Sequence, residues 1–273
     1  MEYWWINRLV CPVCGGSLTK EGGSFACSGP RRHCFDAAAE GYVNLAPPKA
    51  AGGGDDAGLV AARTAFLEAG HYRPFAERVA ALMRTHCPGG VLVDAGCGEG
   101  YYTNHLASGG ARVFGFDLSK RGVRHGAKVA KRAELPALYA VASVFQLPLA
   151  DASVDGIVSL FAPVAEAEFL RVLKPGGVLL MAGAGAEHLL SLKRVLYDTP
   201  RPNEAREDLP RMMRQLHAET LRFTMELEPA AIQSLFDMTP YFYRTTAEGH
   251  RRLAATSHLT CEAEMDIFVF QKA

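Results

Sequence analysis

The chain of 273 residues has no run close to the roughly 20 consecutive apolar residues that span a bilayer. Its first residues, Met1-Glu2-Tyr3-Trp4-Trp5-Ile6-Asn7-Arg8, lack the basic-then-apolar order of a secretory leader. A cytoplasmic location is the expectation. Net charge is also absent, because 29 Lys and Arg residues balance 29 Asp and Glu residues. That excludes a basic field over the whole molecule and leaves local patches to be sought one by one. Cysteine is sparse outside one stretch: four of the seven lie between positions 11 and 34, and Cys87, Cys97 and Cys261 are scattered. This spacing argues against a disulfide scaffold and for metal binding in a reducing compartment. Residues 1 to about 45 lack a periodic apolar pattern and are rich in turn formers, so a core alone would not hold them folded and a staple is required.

What the chain does have is a change of texture near its first sixth. Pro47-Pro48-Lys49-Ala50-Ala51-Gly52-Gly53-Gly54-Asp55-Asp56 reads as a flexible linker, set at residues 47–58 between a small unit (1–46) and a large one (59–273). From Leu59 to Met83 helical spacing predicts two helices, broken around Gly70 and Pro74. Beyond them short apolar strands alternate with helices. The strands are Val91–Val93, Val113–Phe116, Leu138–Val141, Gly156–Leu160 and Val178–Met181, with helices at Tyr102–Ala107, residues 119–132 and Ala165–Leu173. Such alternation predicts an α/β fold with a doubly wound, mostly parallel sheet covered on both faces. His188 to Leu235 reads as mainly helical and polar, and Met265–Phe270 as a strand closing the sheet in an antiparallel hairpin.

In such a sheet the ligand lies beyond the carboxyl ends of the strands, where glycines let backbone amides approach it. Gly96, Gly98 and Gly100 follow the first strand in Asp94-Ala95-Gly96-Cys97-Gly98-Glu99-Gly100. A Gly-rich loop alone is weak evidence. Asp94 strengthens it, because a carboxylate suits a cationic sulfonium and an α-amino group and would repel a pyrophosphate. Asp117 ends the second strand, where a carboxylate takes ribose hydroxyls. The turn Leu170-Arg171-Val172-Leu173-Lys174-Pro175-Gly176-Gly177 resembles the helix-to-strand turn before the fifth strand of small-molecule and RNA methyltransferases. Together these features favour S-adenosylmethionine over a dinucleotide. After the third strand Ser143 stands where many methyltransferases carry an Asp that meets adenine, with Val144 and Phe145 as candidate walls.

Cys11-Pro12-Val13-Cys14-Gly15-Gly16 is a knuckle in which two thiolates grip one ion from a tight turn. Cys27 supplies a third ligand and His33 or Cys34 the fourth. A site with every position filled by protein is structural rather than catalytic. One zinc ion is the expectation, and it answers the need for a staple.

These residues carry a family resemblance that runs along nearly the whole chain. Cys11-Pro12-Val13-Cys14, Cys27 to His33-Cys34-Phe35-Asp36 and Glu40-Gly41-Tyr42-Val43-Asn44-Leu45 carry its first part. Ala61-Ala62-Arg63, Ala69-Gly70-His71-Tyr72, Asp94 to Thr103 and Asp117-Leu118-Ser119-Lys120 follow, then Phe161-Ala162-Pro163, Glu187-His188-Leu189 and Met238-Thr239-Pro240. The chain resembles the bacterial 23S ribosomal RNA guanine-N1 methyltransferases, which include tylosin-type macrolide-resistance enzymes. The resemblance implies a class I, Rossmann-like methyltransferase sheet of seven strands behind a zinc-binding RNA-recognition domain. It implies zinc ligands Cys11, Cys14, Cys27 and His33. Cys27 and His33 stand further apart here than in that family, which keeps Cys34 open as the fourth. The cofactor-binding set that follows is Tyr72, Asp94, Gly96, Gly98, Glu99, Gly100, Tyr102, Thr103, Asp117, Leu118, Ser143, Val144 and His188.

Guanine N1 lies on the Watson–Crick edge, so a target base must be unpaired and presented from a loop. Phe161, ending the fourth strand, is the candidate to stack on it. Lys120, Arg121, Arg124, Lys128, Lys131 and Arg132 form a basic stripe on one helix, and Arg31-Arg32 flank the knuckle. The partner expected is a hairpin of 23S ribosomal RNA, with homodimer formation left open. Two other readings stand beside this one: a methyltransferase acting on a small molecule, and a zinc-dependent RNA-binding protein without activity.

Overall fold

The computed structural model describes residues 7–46, 57–204 and 209–273. Of the linker expected at 47–58, residues 47–56 lie outside the described residues, and Ala57 and Gly58 open the first helix. The chain begins with strands β1 (Leu18–Glu21), β2 (Ser24–Cys27) and β3 (Cys34–Asp36), an antiparallel sheet in the order β1-β2-β3. Strand β4 (Tyr42–Asn44) and helices α1 (Ala57–Glu68) and α2 (Arg73–His86) follow. Pro74 sits in the first turn of α2, where a missing N–H breaks no helical bond.

The chain then alternates β5 (Val91–Ala95), α3 (Tyr101–Ser108), β6 (Arg112–Asp117), α4 (Lys120–Arg132), β7 (Ala137–Val141), β8 (Val154–Leu160), α5 (Glu166–Val172) and β9 (Leu173–Ala184). After α6 (Leu190–Leu196) come β10 (Arg214–Leu227), α7 (Pro229–Asp237), α8 (Ala247–Ala254) and β11 (Leu259–Gln271). The sheet order is β10-β11-β9-β8-β5-β6-β7-β4. The seven strands expected are present, and β4 adds an eighth by pairing parallel with β7 at one edge. Connections from β5 run outward through β6 and β7, then return to β8 on the other side, so the topological switch lies between β5 and β8. β5 is buried along its whole length, as a central parallel strand must be.

Each face of the sheet carries a core. One packs α1, α2 and α7 on Leu92, Val158, Leu180 and Met265. The other takes Val91, Val93, Phe116, Phe169 and Met181, and it continues into Leu9, Leu18 and Phe25 of the N-terminal ribbon. A bridge between Leu9 and Leu149 and the bond from Val10 N–H to the Pro148 carbonyl (3.0 Å) fasten the ribbon to the sheet. Among the described residues no helix is long and apolar enough to cross a membrane.

The expectation for His188 to Leu235 is corrected. It holds α6 and most of α7, but its centre is β10, a 14-residue strand antiparallel to β11 throughout. Leu, Glu, Met, Arg and Gln give this stretch a helical bias locally. Long-range pairing overrides that bias, and a register shift between Gln215 and His217 blurs the two-residue alternation that would have revealed a strand.

Candidate active site and metal centre

The ribbon brings Cys11, Cys14, Cys27 and His33 together, their ligand atoms all within 4.8 Å of one another. Cys14 and Cys27 sulfurs are 3.7 Å apart, and His33 Nδ1 is 3.5 Å from both Cys11 and Cys27 sulfurs. Zinc bonds of about 2.3 Å to sulfur and 2.0–2.1 Å to nitrogen imply tetrahedral edges of about 3.8 Å and 3.5 Å. The donor set therefore fits zinc in both spacing and chemistry. Cys34 points elsewhere, exposed, with its sulfur 3.9 Å from the Arg32 carbonyl. The knuckle is closed by Cys11 N–H on Gly16 O (2.8 Å) and Gly15 N–H on Cys11 O (2.9 Å), with Gly15 at φ +72°. Gly29 has a role that sequence did not reveal: a β-carbon there would lie 2.7 Å from the Cys14 sulfur.

At the switch point the carboxyl ends of β7, β6, β5, β8 and β9 present their loops along one edge. Asp94 closes β5, buried, and accepts the Thr103 hydroxyl at 2.6 Å, which ties the start of α3 to the strand. Burial pushes the Asp94 carboxyl up to about 7; the Thr103 bond opposes this, and the charges of Glu99 and Asp117 add to it. Gly96, Gly98 and Gly100 all have positive φ, between 53° and 87°. Asp117 at the end of β6 accepts Gly98 N–H (3.0 Å) and Ser119 N–H (2.6 Å), so it shapes the glycine loop as well as facing the edge. Leu118 follows it, half-buried.

Glu99 is 4 % exposed, and its Oε2 has no hydrogen-bond partner among the described residues; the Arg63 guanidinium stands 3.6 Å away. Burial raises the Glu99 carboxyl, with Arg63 opposing. Three carboxylates thus meet around a loop of left-handed glycines. The arrangement suits a ligand that brings positive charge and hydrogen-bond donors, and a pyrophosphate does not fit it. Arg63 stands in Ala61-Ala62-Arg63 of α1, and no local pattern there links it to Glu99.

After β7, Ser143 accepts Phe145 N–H (3.2 Å), Val144 is buried and Phe145 is exposed. After β8, Phe161 holds φ +52° and is 46 % exposed, an aromatic ring kept in view of solvent by a strained backbone. Its ring centroid lies 5.7 Å from Phe75 and 6.0 Å from His188, and Tyr102 packs on Phe75 at 5.5 Å. After β9, His188 Nε2 meets the Tyr72 hydroxyl at 3.3 Å, and Nδ1 accepts the Glu264 N–H at 3.2 Å. Burial pushes His188 down to about 4, and the Lys193 charge adds to it. The neutral ring accepts at Nδ1, so its proton sits on Nε2 and is donated to Tyr72. The Tyr72 hydroxyl is left to donate to a further acceptor.

Comparison with known proteins covers the ribbon and the sheet. A family profile described as "Methyltransferase domain" matches residues 93–181, and one described as "RlmA, N-terminal", a zinc ribbon, matches residues 9–50. A candidate 23S rRNA (guanine-N(1)-)-methyltransferase of Micromonospora griseorubida is 35% identical, with 92% of each chain covered. One of Bacillus subtilis (strain 168) is 30% identical over 98% of each. The 23S rRNA (guanine(748)-N(1))-methyltransferase of Streptomyces fradiae is 32% identical over 91% of each.

Proposed function

The chain belongs to the family of 23S rRNA (guanine-N1)-methyltransferases, and from that premise we propose that it methylates N1 of a guanine in a hairpin loop of 23S ribosomal RNA. The observation that carries the reading is the exposed, strained Phe161, its ring 6.0 Å from that of His188 and its neighbour Ala162 packed where a β-carbon on Gly96 would lie. S-adenosylmethionine supplies an electrophilic methyl group on a sulfonium when bound. The groups that would hold it are Gly96, Gly98 and Gly100 with Asp94, Glu99, Tyr102 and Thr103, then Asp117 and Leu118, Ser143 and Val144, and Tyr72 with His188. Zinc would be held by Cys11, Cys14, Cys27 and His33, where it would staple the ribbon with every position filled by protein.

On the substrate side Phe161 stacks on the unpaired guanine and fixes the angle at which N1 faces the methyl donor. His188 and Tyr72 are a fixed donor array: Nδ1 is occupied, Nε2 carries its proton, and burial holds the Tyr72 phenol far above its ordinary range. The N1 proton therefore leaves to another acceptor. The six cations of α4 are all exposed, and no acidic residue interrupts that helix. Arg124 pairs with Glu40 and Lys131 with the Ala39 carbonyl, which joins this stripe to the ribbon segment. The stripe is the face proposed to carry hairpin phosphates.

The direct experiment compares reverse transcription of 23S ribosomal RNA from cells with and without the gene. A methyl on N1 blocks pairing, so a new stop one nucleotide before a loop guanine is expected. Absence of any new stop, with purified protein still binding cofactor, would favour a small-molecule substrate instead. Phe161→Ala is expected to lower kcat about tenfold with little change in the KM for RNA, a loss of about 1.4 kcal/mol. Arg121→Glu with Lys128→Glu is expected to raise that KM and leave kcat in place. The reverse pattern would exchange or remove these two roles.

The carboxyl of Asp94 yields a pH prediction. Its value of about 7 in the free protein means that it is protonated below that pH. A cation bound beside it favours the ionised form, so binding below pH 7 releases a proton. Affinity for S-adenosylmethionine should therefore rise with pH by up to about tenfold per unit and level off above about 7. Calorimetry in buffers of different ionisation heat reads the proton directly, and Asp94→Asn should flatten the profile. Equal slopes in wild type and variant would remove Asp94 from the cofactor's field.

A further inference from the structure

The loop of residues 185–189, between β9 and α6, carries His188 and is held from two sides by residues with no other evident task. On one side is β11. Gly185 N–H bonds to the Glu264 carbonyl (2.9 Å), Leu189 N–H to the Glu262 carbonyl (3.0 Å), and Glu187 N–H to Glu264 Oε1 (3.1 Å). The Glu264 amide is the group that holds His188 Nδ1. Glu264 is 4 % exposed although β11 is the second strand from the sheet edge, because this loop lies over it. A β-carbon on Gly185 would stand 2.6 Å from Glu264 Oε1, so loop and carboxylate are in tight contact. Arg222 of β10 neutralises the other oxygen at 2.7 Å. Burial works against ionisation of Glu264, and the Glu187 amide and Arg222 outweigh it and hold the carboxyl below its usual range.

On the other side is the segment entering β10. Asn203 donates Nδ2–H to the Gly185 carbonyl (2.8 Å) and the His188 carbonyl (3.4 Å), and its own amide bonds to Ala186 O (2.7 Å). Its Oδ1 accepts the buried Lys193 ammonium at 2.6 Å, which also reaches the Arg201 carbonyl at 2.9 Å. Leu189 closes the loop in the left-handed region at φ +56°, a conformation a leucine keeps only where its surroundings enforce it.

We infer that Glu264 and Asn203, the latter braced by Lys193, are positioning residues that clamp loop 185–189 and fix the His188 ring with its Nε2–H directed at Tyr72. The inference rests on the reading of Tyr72 and His188 as cofactor contacts. A carboxylate on the Glu187 amide locks the loop above β11, and that registers His188 Nδ1 on the Glu264 N–H. Asn203 closes the loop from the opposite side. Removing either leaves the backbone of the strand intact and loosens the imidazole.

The test uses the full-length zinc-loaded protein, with folding checked by circular dichroism. Glu264→Ala and Asn203→Ala are each expected to raise the KM for S-adenosylmethionine about tenfold or more while kcat at saturating cofactor falls less than threefold. Glu264→Gln keeps an acceptor for the Glu187 amide and is expected to recover most of the lost affinity. Nitrogen-15 spectra of the His188 ring are expected to report one Nε2–H tautomer in the wild type and averaged tautomers in Glu264→Ala. An unchanged KM and an unchanged ring spectrum in folded Glu264→Ala and Asn203→Ala would overturn the clamp. If Glu264→Ala does not fold, Asn203→Ala decides by the same two readings. His188→Gln with unaltered cofactor affinity would instead sink the cofactor-contact reading, and the ring spectra would still decide whether the clamp exists.

Discussion

Cys14→Ala protein should contain no zinc, lose the fold of its N-terminal ribbon and transfer no methyl group to RNA, whereas Cys34→Ala protein should keep one zinc per chain and full activity. The contrast follows from geometry: Cys14 sulfur lies 3.7 Å from Cys27 in a four-donor cluster, and Cys34 is turned to solvent beside the Arg32 carbonyl. Structural zinc contributes about 10–16 kcal/mol in zinc-finger peptides at neutral pH, comparable to a typical domain's whole stability of about 5–15 kcal/mol. The loss should not stay local. Leu9, Leu18 and Phe25 share a core with Val91, Phe116 and Met181 of the sheet, so an unfolded ribbon uncovers one sheet face. Thermal unfolding of the wild type should then be one transition, and chelation should shift all of it. Metal analysis of His33→Ala completes the set with an expected zinc content near zero. A Cys34→Ala protein without metal, or a His33→Ala protein that keeps it, would reassign the fourth ligand.

Much of this arrangement is legible in the residues, for reasons that are themselves physical. The knuckle Cys11 to Gly16, the glycine loop and the Asp117 strand end are local patterns whose chemistry depends on spacing along the chain. The parallel strands announce themselves because burial on both faces makes them continuous apolar runs, as in Val91 to Ala95. What stays hidden is set by contacts between distant segments. Arg214 to Leu227 has the composition of a helix and becomes a strand because β11 is available to pair with it. Glu264 looks like one more polar residue on a strand, and only the loop folded over it makes it buried. Arg63 lies 36 positions before Glu99, and no rule of spacing links a residue of α1 to the glycine loop. His33 and Cys34 are neighbours at the start of β3, and only the fold sends the first side chain to the cluster and the second to solvent. Phe161 is marked in the sequence only by its place at a strand end, and its exposure and strained backbone come from the fold.

Gly100→Ala should abolish measurable binding of S-adenosylmethionine, a drop of at least about a hundredfold, while Gly110→Ala should leave it unchanged. Both glycines sit in the left-handed region, at φ +86° and +91°, so both substitutions carry the same backbone penalty of about 1–2 kcal/mol. Their surroundings separate them. A β-carbon on Gly110 meets nothing within 4 Å, and one on Gly100 would stand 2.4 Å from the Tyr139 hydroxyl and 2.7 Å from the Gly126 Cα. Tyr139 cannot yield, because it is buried and its hydroxyl donates to Asn104 Oδ1 at 2.8 Å; Gly126 is backbone of α4. Overpacking of this kind costs about 1–3 kcal/mol more. The loop is the softest party, so it must move, and a shift of about 1 Å in groups that position a reactant costs about a hundredfold. Gly98→Ala falls between the two, since the atom it approaches, Arg63 Nη1 at 3.3 Å, ends a flexible side chain. Calorimetric titration across the three variants, with circular dichroism as the check on folding, should rank them Gly110, Gly98, Gly100 in increasing loss. Tyr139→Phe added to Gly100→Ala removes the nearest oxygen and leaves Gly126 in place, so it should restore binding in part only. A folded Gly100→Ala protein that binds cofactor within threefold of wild type would mean that the glycine loop does not set the cofactor's position.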